Sequence, residues 1–244
     1  MQKIISYPIS VVYYLCFGLI LCLFHPIQWI CLNVFGYQAH KKSVDILNLF
    51  LIRNTHLLGT SYRIKNRNRV PDNVPLIIVS NHQSLYDIPP FIWFLRKSHV
   101  KFISKKELGK GIPSVSFNLR HGGSVLIDRK DPKQALPTIK SMAEYIAKHN
   151  RAVVIFPEGT RSRNGVPKKF SENGLKTLFK YAPSAYVLPV TINNSWKMVW
   201  YGMFPMGLGN RLEFTIHNPL KVSDYNADEL IERTEQTIIK DIVV

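Results

Sequence analysis

The chain has 244 residues, enough for one domain with a sizeable core and an added segment. Its composition, 46% apolar and 20% charged, excludes disorder as the main state. Lys and Arg number 32 and Asp and Glu 16, and the net charge of +16 indicates an anionic partner: nucleic acid, an anionic membrane face or a phosphorylated substrate. All three cysteines lie before residue 32, so the remainder has no disulfide, thiolate nucleophile or Cys-type zinc site.

Residues 1–42 are predicted to anchor the chain in a membrane. No Asp, Glu, Lys or Arg occurs from Ile4 to Ala39, and the run from Ile4 to Phe24 matches the ~20 apolar residues that cross a hydrocarbon core. His25 and Pro26 interrupt it, which predicts either one span with an interfacial piece or a hairpin that turns at this break. A cleaved signal peptide and a soluble core helix are weaker alternatives, because there is no cleavage site and no solvent face.

Basic residues follow the anchor. Lys41 and Lys42 close it, and Tyr62 to Arg69 reads YRIKNRNR. By the positive-inside tendency we expect this flank, and the domain after it, on the cytoplasmic face of the cell membrane. Residues 43–60 have apolar side chains at helical spacing and predict an amphipathic linking helix. Residues 61–244 then form the main domain.

The main domain is predicted to be of the α/β class. Short apolar runs typical of strands alternate with helical patterns, which indicates a mixed, largely buried β-sheet flanked by helices. The predicted strands are 75–80, 101–104, 124–128, 152–156, 185–192 and 211–217, and the predicted helices are 132–149, 175–181 and 227–240. Ligands in such folds gather at the carboxyl ends of strands. Three polar clusters follow strands here, at 81–87, 128–129 and 157–161.

The stretch VSNHQSLYDIPP supports two compatible interpretations. Ser84 and Asp87, three residues apart, fit a capping box for the helix that follows, although the two prolines disfavour regular helix just before them. His82 and Asp87 also fit an imidazole–carboxylate pair. In such a pair the carboxylate fixes the tautomer and leaves the other ring nitrogen free to accept a proton. One carboxylate could serve both purposes.

Four motifs in order resemble the glycerolipid acyltransferase family, of the bacterial 1-acylglycerol-3-phosphate acyltransferase type. They are the His-x4-Asp of NHQSLYD, then GGSVLIDR, FPEGTRS and VLPVT, and they cover about half of the chain; ISKKELGKGIPSVSF also resembles the family's Lys-Lys-Glu-Leu segment. The resemblance implies the glycerolipid acyltransferase fold for residues 61–244. It also implies transfer of a fatty acyl group from acyl-CoA or acyl-ACP to the free hydroxyl of 1-acylglycerol 3-phosphate, a lysophospholipid.

The same resemblance assigns roles to individual residues. His82 would be the general base, and Asp87 would orient it. Arg129 and Arg161 would hold the acceptor phosphate, which suits arginines at strand ends. The remaining predicted substrate-binding residues are Lys105, Glu158, Gly159 and Thr160. No metal and no cofactor is implied beyond the acyl thioester, and the expected partners are the two substrates and an anionic membrane surface rather than nucleic acid.

The chain departs from the family at KKFSENGLK, where many relatives have Phe-Lys-x-Gly, so the donor head group stays open. The acceptor could also be glycerol 3-phosphate, another lysophospholipid or a lyso-aminolipid. A hydrolase using Ser84 or Ser80 lacks the G-x-S-x-G elbow. A nucleic-acid binder lacks a motif that organises its dispersed basic residues. The segment SWKMVWYGMF predicts either a loop that lies at the membrane interface or lines the acyl entrance, or an aromatic core segment.

Overall fold

The computed structural model describes residues 2–243, so the first residue of the predicted anchor and the last residue of the predicted domain lie outside it. Its helices are α1 (Gln2–Phe35), α2 (Tyr37–Thr55), α3 (Ile88–Phe94), α4 (Val115–His121), α5 (Pro132–His149), α6 (Glu172–Tyr181) and α7 (Ala227–Lys240). Its strands are β1 (Ser61–Lys65), β2 (Leu76–Ser80), β3 (Lys101–Lys105), β4 (Val125–Ile127), β5 (Ala152–Ile155), β6 (Tyr186–Asn193), β7 (Arg211–Ile216) and β8 (Leu220–Lys221).

The strands form one mixed sheet in the order β1-β7-β6-β2-β5-β3-β4, with β8 paired to β6. The β6–β7 and β6–β8 pairs are antiparallel and the others are parallel. The predicted α/β class and mixed, buried sheet are therefore confirmed. The central position of β2 and β5 brings the polar segments that follow them to the same edge of the sheet.

Helices cover both faces of the sheet, and alternate residues of the central strand β2 supply the two cores. Ile77 and Val79 pack with α5, α6 and α7. Leu76 and Ile78 pack in the core that also holds residues of α1, α2 and α3. Every residue of β2 is fully buried, so the segment that follows β2 starts from a rigid support.

Strand β1 was missed by the sequence analysis, which treated its residues as part of a basic flank. It pairs in parallel with β7 at the edge of the sheet. Its basic side chains Arg63 and Lys65 both face Glu213 of β7, which offsets their charge. Edge strands commonly carry such charged side chains, so the charge was a poor argument against a strand.

The predicted break at His25 and Pro26 is wrong, because α1 continues through both residues. A contact with the start of α4 supports this turn of the helix. The backbone N–H of Ser114 donates to His25 Nδ1 at 3.1 Å, and its hydroxyl donates to the carbonyl of Leu21 at 2.6 Å. The chain turns instead at Gly36, whose φ of +82° favours glycine, so the two arms of the hairpin are α1 and α2.

Within residues 2–243, α1 is the helix that is long and apolar enough to cross a membrane, by length and composition. Many of its apolar side chains are exposed, among them Ile4, Val11, Leu15, Leu19, Leu23, Trp29, Ile30, Val34 and Phe35. A helix with this much exposed apolar surface is typical of membrane association rather than of a soluble core. Most of the predicted linking helix belongs to α2. The division of the chain into an anchor, a linking helix and a main domain after residues 42 and 60 stays a prediction.

Candidate active site

His82 and Asp87 lie at the carboxyl end of β2 and form a direct pair. His82 Nδ1 is 2.8 Å from Asp87 Oδ2 and donates to it, since an ionised carboxylate only accepts. Within residues 2–243 the structure gives the other ring nitrogen, Nε2, no hydrogen-bond partner. The carboxylate is fully buried and the imidazole is 13% exposed. One ring nitrogen is thus fixed, and the other is free to accept a proton.

Asp87 also caps the short 3₁₀ turn Leu85–Asp87 that precedes α3, as the capping-box interpretation predicts. Its Oδ2 accepts from the backbone N–H groups of Gln83 at 2.8 Å and Ser84 at 3.0 Å. The tight turn accommodates the two prolines that open α3. Both interpretations of VSNHQSLYDIPP therefore hold at once, because the geometry that caps the turn also places Oδ2 against the imidazole.

Two hydroxyls complete the shell around Asp87. The Ser195 hydroxyl donates to Oδ1, and the Ser84 hydroxyl lies 3.2 Å from the Ser195 oxygen. Gln83 Oε1 in turn accepts from the Ser195 backbone N–H at 3.0 Å. Since donors surround both carboxylate oxygens, the buried charge is compensated by hydrogen bonds. The sequence analysis missed this role of Ser195, which begins a segment 108 residues beyond Asp87 in the chain.

The loop after β5 holds the backbone of His82 at both ends. Glu158 Oε1 accepts from the His82 N–H at 2.9 Å, and the Ser162 N–H donates to the His82 carbonyl at 2.7 Å. The Phe156 ring stacks on the imidazole with centroids 4.1 Å apart. This loop carries the FPEGTRS motif, so the motif positions the histidine from three sides.

Glu158 is itself buried. Burial raises the pKa of its carboxyl group, while the backbone N–H groups of His82 and Lys168 lower it by donating to the charged form. Its second oxygen accepts from Lys168 at 3.1 Å. Both oxygens are engaged by the protein's own backbone, so the contacts of Glu158 in the structure are positioning contacts.

The predicted phosphate-binding arginines lie at the same edge of the sheet. Arg129 follows β4, and its guanidinium donates to the carbonyl of Gly159 in the FPEGTRS loop. Partial desolvation lowers the pKa of Arg129, the Glu107 carboxylate raises it, and the charge of Arg161 lowers it further. Arg161 is half-buried. The two arginines are thus near each other, and a shared anion would relieve their mutual repulsion.

The three other predicted residues are also at this edge. Lys105 ends β3 and is exposed beside Ile127 of the neighbouring strand, two residues before Arg129. Gly159 turns the FPEGTRS loop with φ +69°, a conformation that favours glycine. Thr160 follows it and is exposed. The structure therefore brings all eight predicted residues to one edge of the sheet, and their contact with substrate stays a prediction.

The loop between β6 and β7 links this site to α1. Near its start Ser195 contacts Asp87, and Met198 is fully buried, as a core segment requires. Further on, Trp200 is 60% exposed and Phe204 is 48% exposed. The Phe204 ring packs edge-on against Tyr7 of α1, with centroids 5.4 Å apart. The start of the loop belongs to the core, and its tip extends the apolar surface of α1.

Replacing Trp200 and Phe204 together with serine should weaken binding to liposomes by ~10–100-fold, since each ring removes about 1 kcal/mol of apolar contact with lipid. The domain should keep its melting temperature, because both rings are exposed. Liposome co-sedimentation measures the binding. Ile239→Ser, on the exposed side of α7, is the matched control and should bind like the wild type. A large fall in melting temperature for the double variant would instead favour the core interpretation.

Comparison with known proteins identifies the family. Residues 61–193, more than half of the chain, match the family model described as Acyltransferase. The chain therefore belongs to this acyltransferase family. It is 37% identical over 124 residues to a 1-acyl-sn-glycerol-3-phosphate acyltransferase of Helicobacter pylori. It is 26% identical over 207 residues to a protein of the same name from Chlamydomonas reinhardtii.

The matched parts cover 49% of this chain and 51% of the Helicobacter protein, and 84% of this chain and 60% of the Chlamydomonas protein. The chain thus spans only about half of the length of such relatives. The fold is similar to the crystal structure of the 1-acyl-sn-glycerophosphate (LPA) acyltransferase PlsC from Thermotoga maritima, with a TM-score of 0.78. That match covers 98% of this chain and 95% of the other at 23% identity, and it confirms the predicted fold.

Proposed function

We propose that the protein transfers a fatty acyl group from a thioester of coenzyme A or acyl carrier protein to the free hydroxyl of 1-acylglycerol 3-phosphate. The products are phosphatidic acid and the free thiol. The observation that carries the proposal is the contact of His82 Nδ1 with the buried carboxylate of Asp87, which leaves Nε2 as a base. Membership of the acyltransferase family and the names of the relatives support the reaction class and the acceptor.

The proposed step needs no covalent enzyme intermediate. Nε2 of His82 takes the proton of the acceptor hydroxyl while the oxygen attacks the thioester carbonyl. Asp87 stabilises the imidazolium that forms. The tetrahedral intermediate collapses with cleavage of the carbon–sulfur bond, and the imidazolium returns the proton to the departing thiolate. The ester bond formed and the thioester bond broken balance, and the histidine ends in its starting state.

The contacts of Ser84 and Ser80 support His82 as a general base rather than either serine as a nucleophile. The Ser84 oxygen accepts from the Tyr86 N–H at 3.2 Å and faces Ser195, and its side chain is buried. The Ser80 hydroxyl donates to the adjacent carbonyl of Asn81 at 3.0 Å and is fully buried. Neither hydroxyl forms a hydrogen bond with the His82 ring, so the hydrolase alternative lacks the nucleophile–base hydrogen bond it requires.

The acceptor phosphate is proposed to lie against Arg129 and Arg161. Lys105 ends β3, and Arg129 and Arg161 follow β4 and β5, so the three positive charges lie on the edge that holds His82. An arginine binds phosphate through two parallel hydrogen bonds and so fixes its orientation as well as its charge. Glu158 would act through its hold on the His82 backbone rather than through the substrate.

Arg161→Ala should lower kcat/KM for 1-acylglycerol 3-phosphate by ~10–100-fold, because charge-assisted hydrogen bonds contribute about 1.5–3 kcal/mol each. Steady-state kinetics with a single acyl thioester measure the change. Arg163→Ala, in the same loop and exposed, is the matched control and should stay near wild type. Equal losses in both variants would mean that general attraction by the basic surface, not a phosphate site at Arg161, is responsible.

A panel of acceptors tests the choice among related substrates. We expect 1-acylglycerol 3-phosphate to be the preferred acceptor, because it has both a phosphate monoester and an acyl chain. Glycerol 3-phosphate lacks the acyl chain and lysophosphatidylcholine lacks the phosphate monoester, so each should compete less well. Preference for lysophosphatidylcholine would move the acceptor assignment to another lysophospholipid.

The proposed setting is the cytoplasmic face of the cell membrane, with α1 in lipid and the basic domain at an anionic surface.

A further inference from the structure

A second group of charged side chains lies at the opposite edge of the sheet from His82. Lys101 is the first residue of β3, and Arg151 precedes β5. His82 follows the carboxyl end of β2, and β2, β5 and β3 run parallel. Tyr37, at the start of α2, covers this amino-terminal edge. The group is therefore separate from the candidate active site, and the inference drawn from it does not rest on the proposed function.

Two cations share one aromatic ring in this group. Lys101 Nζ and Arg151 Cζ each lie 5.2 Å from the centroid of the Tyr37 ring. Lys101 is only 5% exposed, and its ammonium donates to the carbonyl of Gly122. Within residues 2–243 neither cation forms an ion pair. A buried ammonium with an aromatic face and a carbonyl as partners leaves most of its charge uncompensated.

The nearby charges add to this excess. Lys41 is a third cation. Asp45, the carboxylate that faces the group among residues 2–243, is already paired with Lys41 at 2.5 Å. Burial, followed by the charges of Arg151 and Lys41, lowers the pKa of Lys101 to about 7. Burial and the charge of Lys101 likewise lower the pKa of His40 to about 4. The region therefore has a positive potential that an anion would relieve.

His40 has an unused capacity for hydrogen bonds. Its side chain is fully buried, and neither ring nitrogen has a partner among residues 2–243. It lines a cleft together with Lys101, His99 and Ser124. The cleft measures about 390 Å³ with its open mouth included, and a water-sized atom can enter it. One phosphate oxygen therefore fits between the side chains that line it.

We propose that this cleft between α2 and the start of β3 binds a phosphate group, with Lys101 supplying the charge and His40 a hydrogen bond. One phosphate oxygen lies between Lys101 and His40, and the remainder of the tetrahedral anion extends through the open mouth of the cleft toward Lys41. The phosphate is either free or the head group of an anionic lipid. A lipid source fits the position of the cleft at the start of α2, directly after the turn from the apolar helix α1.

Equilibrium dialysis of radiolabelled inorganic phosphate against the full chain in detergent tests the site. Arg129→Ala and Arg161→Ala are introduced together first, so that the proposed acceptor site does not contribute. This protein should still bind one phosphate per chain. Adding Lys101→Met should weaken binding by ~100-fold, since a charge-assisted contact is lost. Adding Arg151→Gln should weaken it by ~10-fold, since Arg151 contributes only its nearby positive charge. Lys148→Met, an exposed lysine of α5, is the control and should bind as before.

Folding is monitored by the melting temperature. Lys101→Met should raise it in phosphate-free buffer, because the substitution removes an uncompensated buried charge. Saturating phosphate should raise the melting temperature of the Arg129→Ala/Arg161→Ala protein and not that of its Lys101→Met derivative. Absence of phosphate binding in the first protein, or equal binding after Lys101→Met, overturns the proposal and leaves a water-filled cleft.

The source of the phosphate is tested in phosphatidylcholine vesicles that hold the same protein. Phosphatidic acid or diacylglycerol is added to the vesicles, and release of labelled phosphate is measured. Release by phosphatidic acid alone supports a lipid head group as the occupant. Retention of the label with both lipids supports free phosphate. Equal release by both lipids contradicts recognition of phosphate in this cleft.

Discussion

His82→Ala should lower the rate of acyl transfer by ~10²–10⁴-fold, the usual contribution of a general base. The substitution removes Nε2, the ring nitrogen that stays free to take a proton while Asp87 holds Nδ1. Residual transfer should come from binding of the two substrates alone. Single-turnover rates with an acyl thioester and 1-acylglycerol 3-phosphate measure the loss without interference from product release.

The variant must be folded for this loss to be informative. The contacts that fix His82 from Glu158 and Ser162 are made through its backbone and survive the substitution, whereas the stacking on Phe156 is lost. Far-UV circular dichroism and the melting temperature report on folding. His149→Ala, an exposed histidine of α5, is the matched control and should keep full activity. Transfer by a folded His82→Ala within ~3-fold of wild type would contradict its role as the base.

Asp87→Asn should lower transfer by a similar factor, ~10²–10⁴-fold, through a different cause. An amide in place of the carboxylate no longer stabilises the imidazolium, and its NH₂ group can force the wrong tautomer on His82. The amide also loses charge-assisted hydrogen bonds from Gln83, Ser84 and Ser195, which should cost about 1–3 kcal/mol of stability. KM for the acceptor should change little, since Asp87 is fully buried.

Ser195→Ala separates the two effects of Asp87→Asn. It removes the hydrogen bond to Oδ1 and leaves the charge and the contact with His82 in place. Stability should fall by about 1 kcal/mol and the rate by ~10-fold or less. If Ser195→Ala lost as much activity as Asp87→Asn, the shell around the carboxylate rather than its charge would control the histidine. Thermal denaturation and the same single-turnover assay provide both numbers.

The sequence predicted the parts of the fold that local patterns determine. The apolar runs of β2, β5 and β6 are short, buried and bounded by polar residues, so their strand character was visible. Strand β1 was not, because its partner strand β7 and the Glu213 that offsets its charge are far along the chain, with Glu213 148 residues beyond Lys65. The continuity of α1 through Pro26 was also hidden, since it is accompanied by contacts from Ser114 of a distant segment.

In the candidate site, too, the features fixed by nearby residues were predictable and those that depend on distant residues were not. The pair of His82 and Asp87 was predictable, because five residues and a capping box fix their geometry locally. Glu158 was predicted as a site residue from its motif. Its contacts with backbone N–H groups depend on the tertiary structure and could not be predicted from the motif. Ser195 carried no signal, because a serine in a loop after a strand is common and its partner is distant in sequence.

The most direct test of acyl transfer is the product made by the purified, detergent-solubilised wild-type chain. It is given 1-acylglycerol 3-phosphate with an acyl-CoA and, in a separate reaction, with an acyl carrier protein thioester, and the lipids are analysed by mass spectrometry. We predict phosphatidic acid from at least one donor, in an amount equal to the free thiol released. Free fatty acid without phosphatidic acid, or no product from either donor with a folded protein, would contradict acyl transfer to this acceptor.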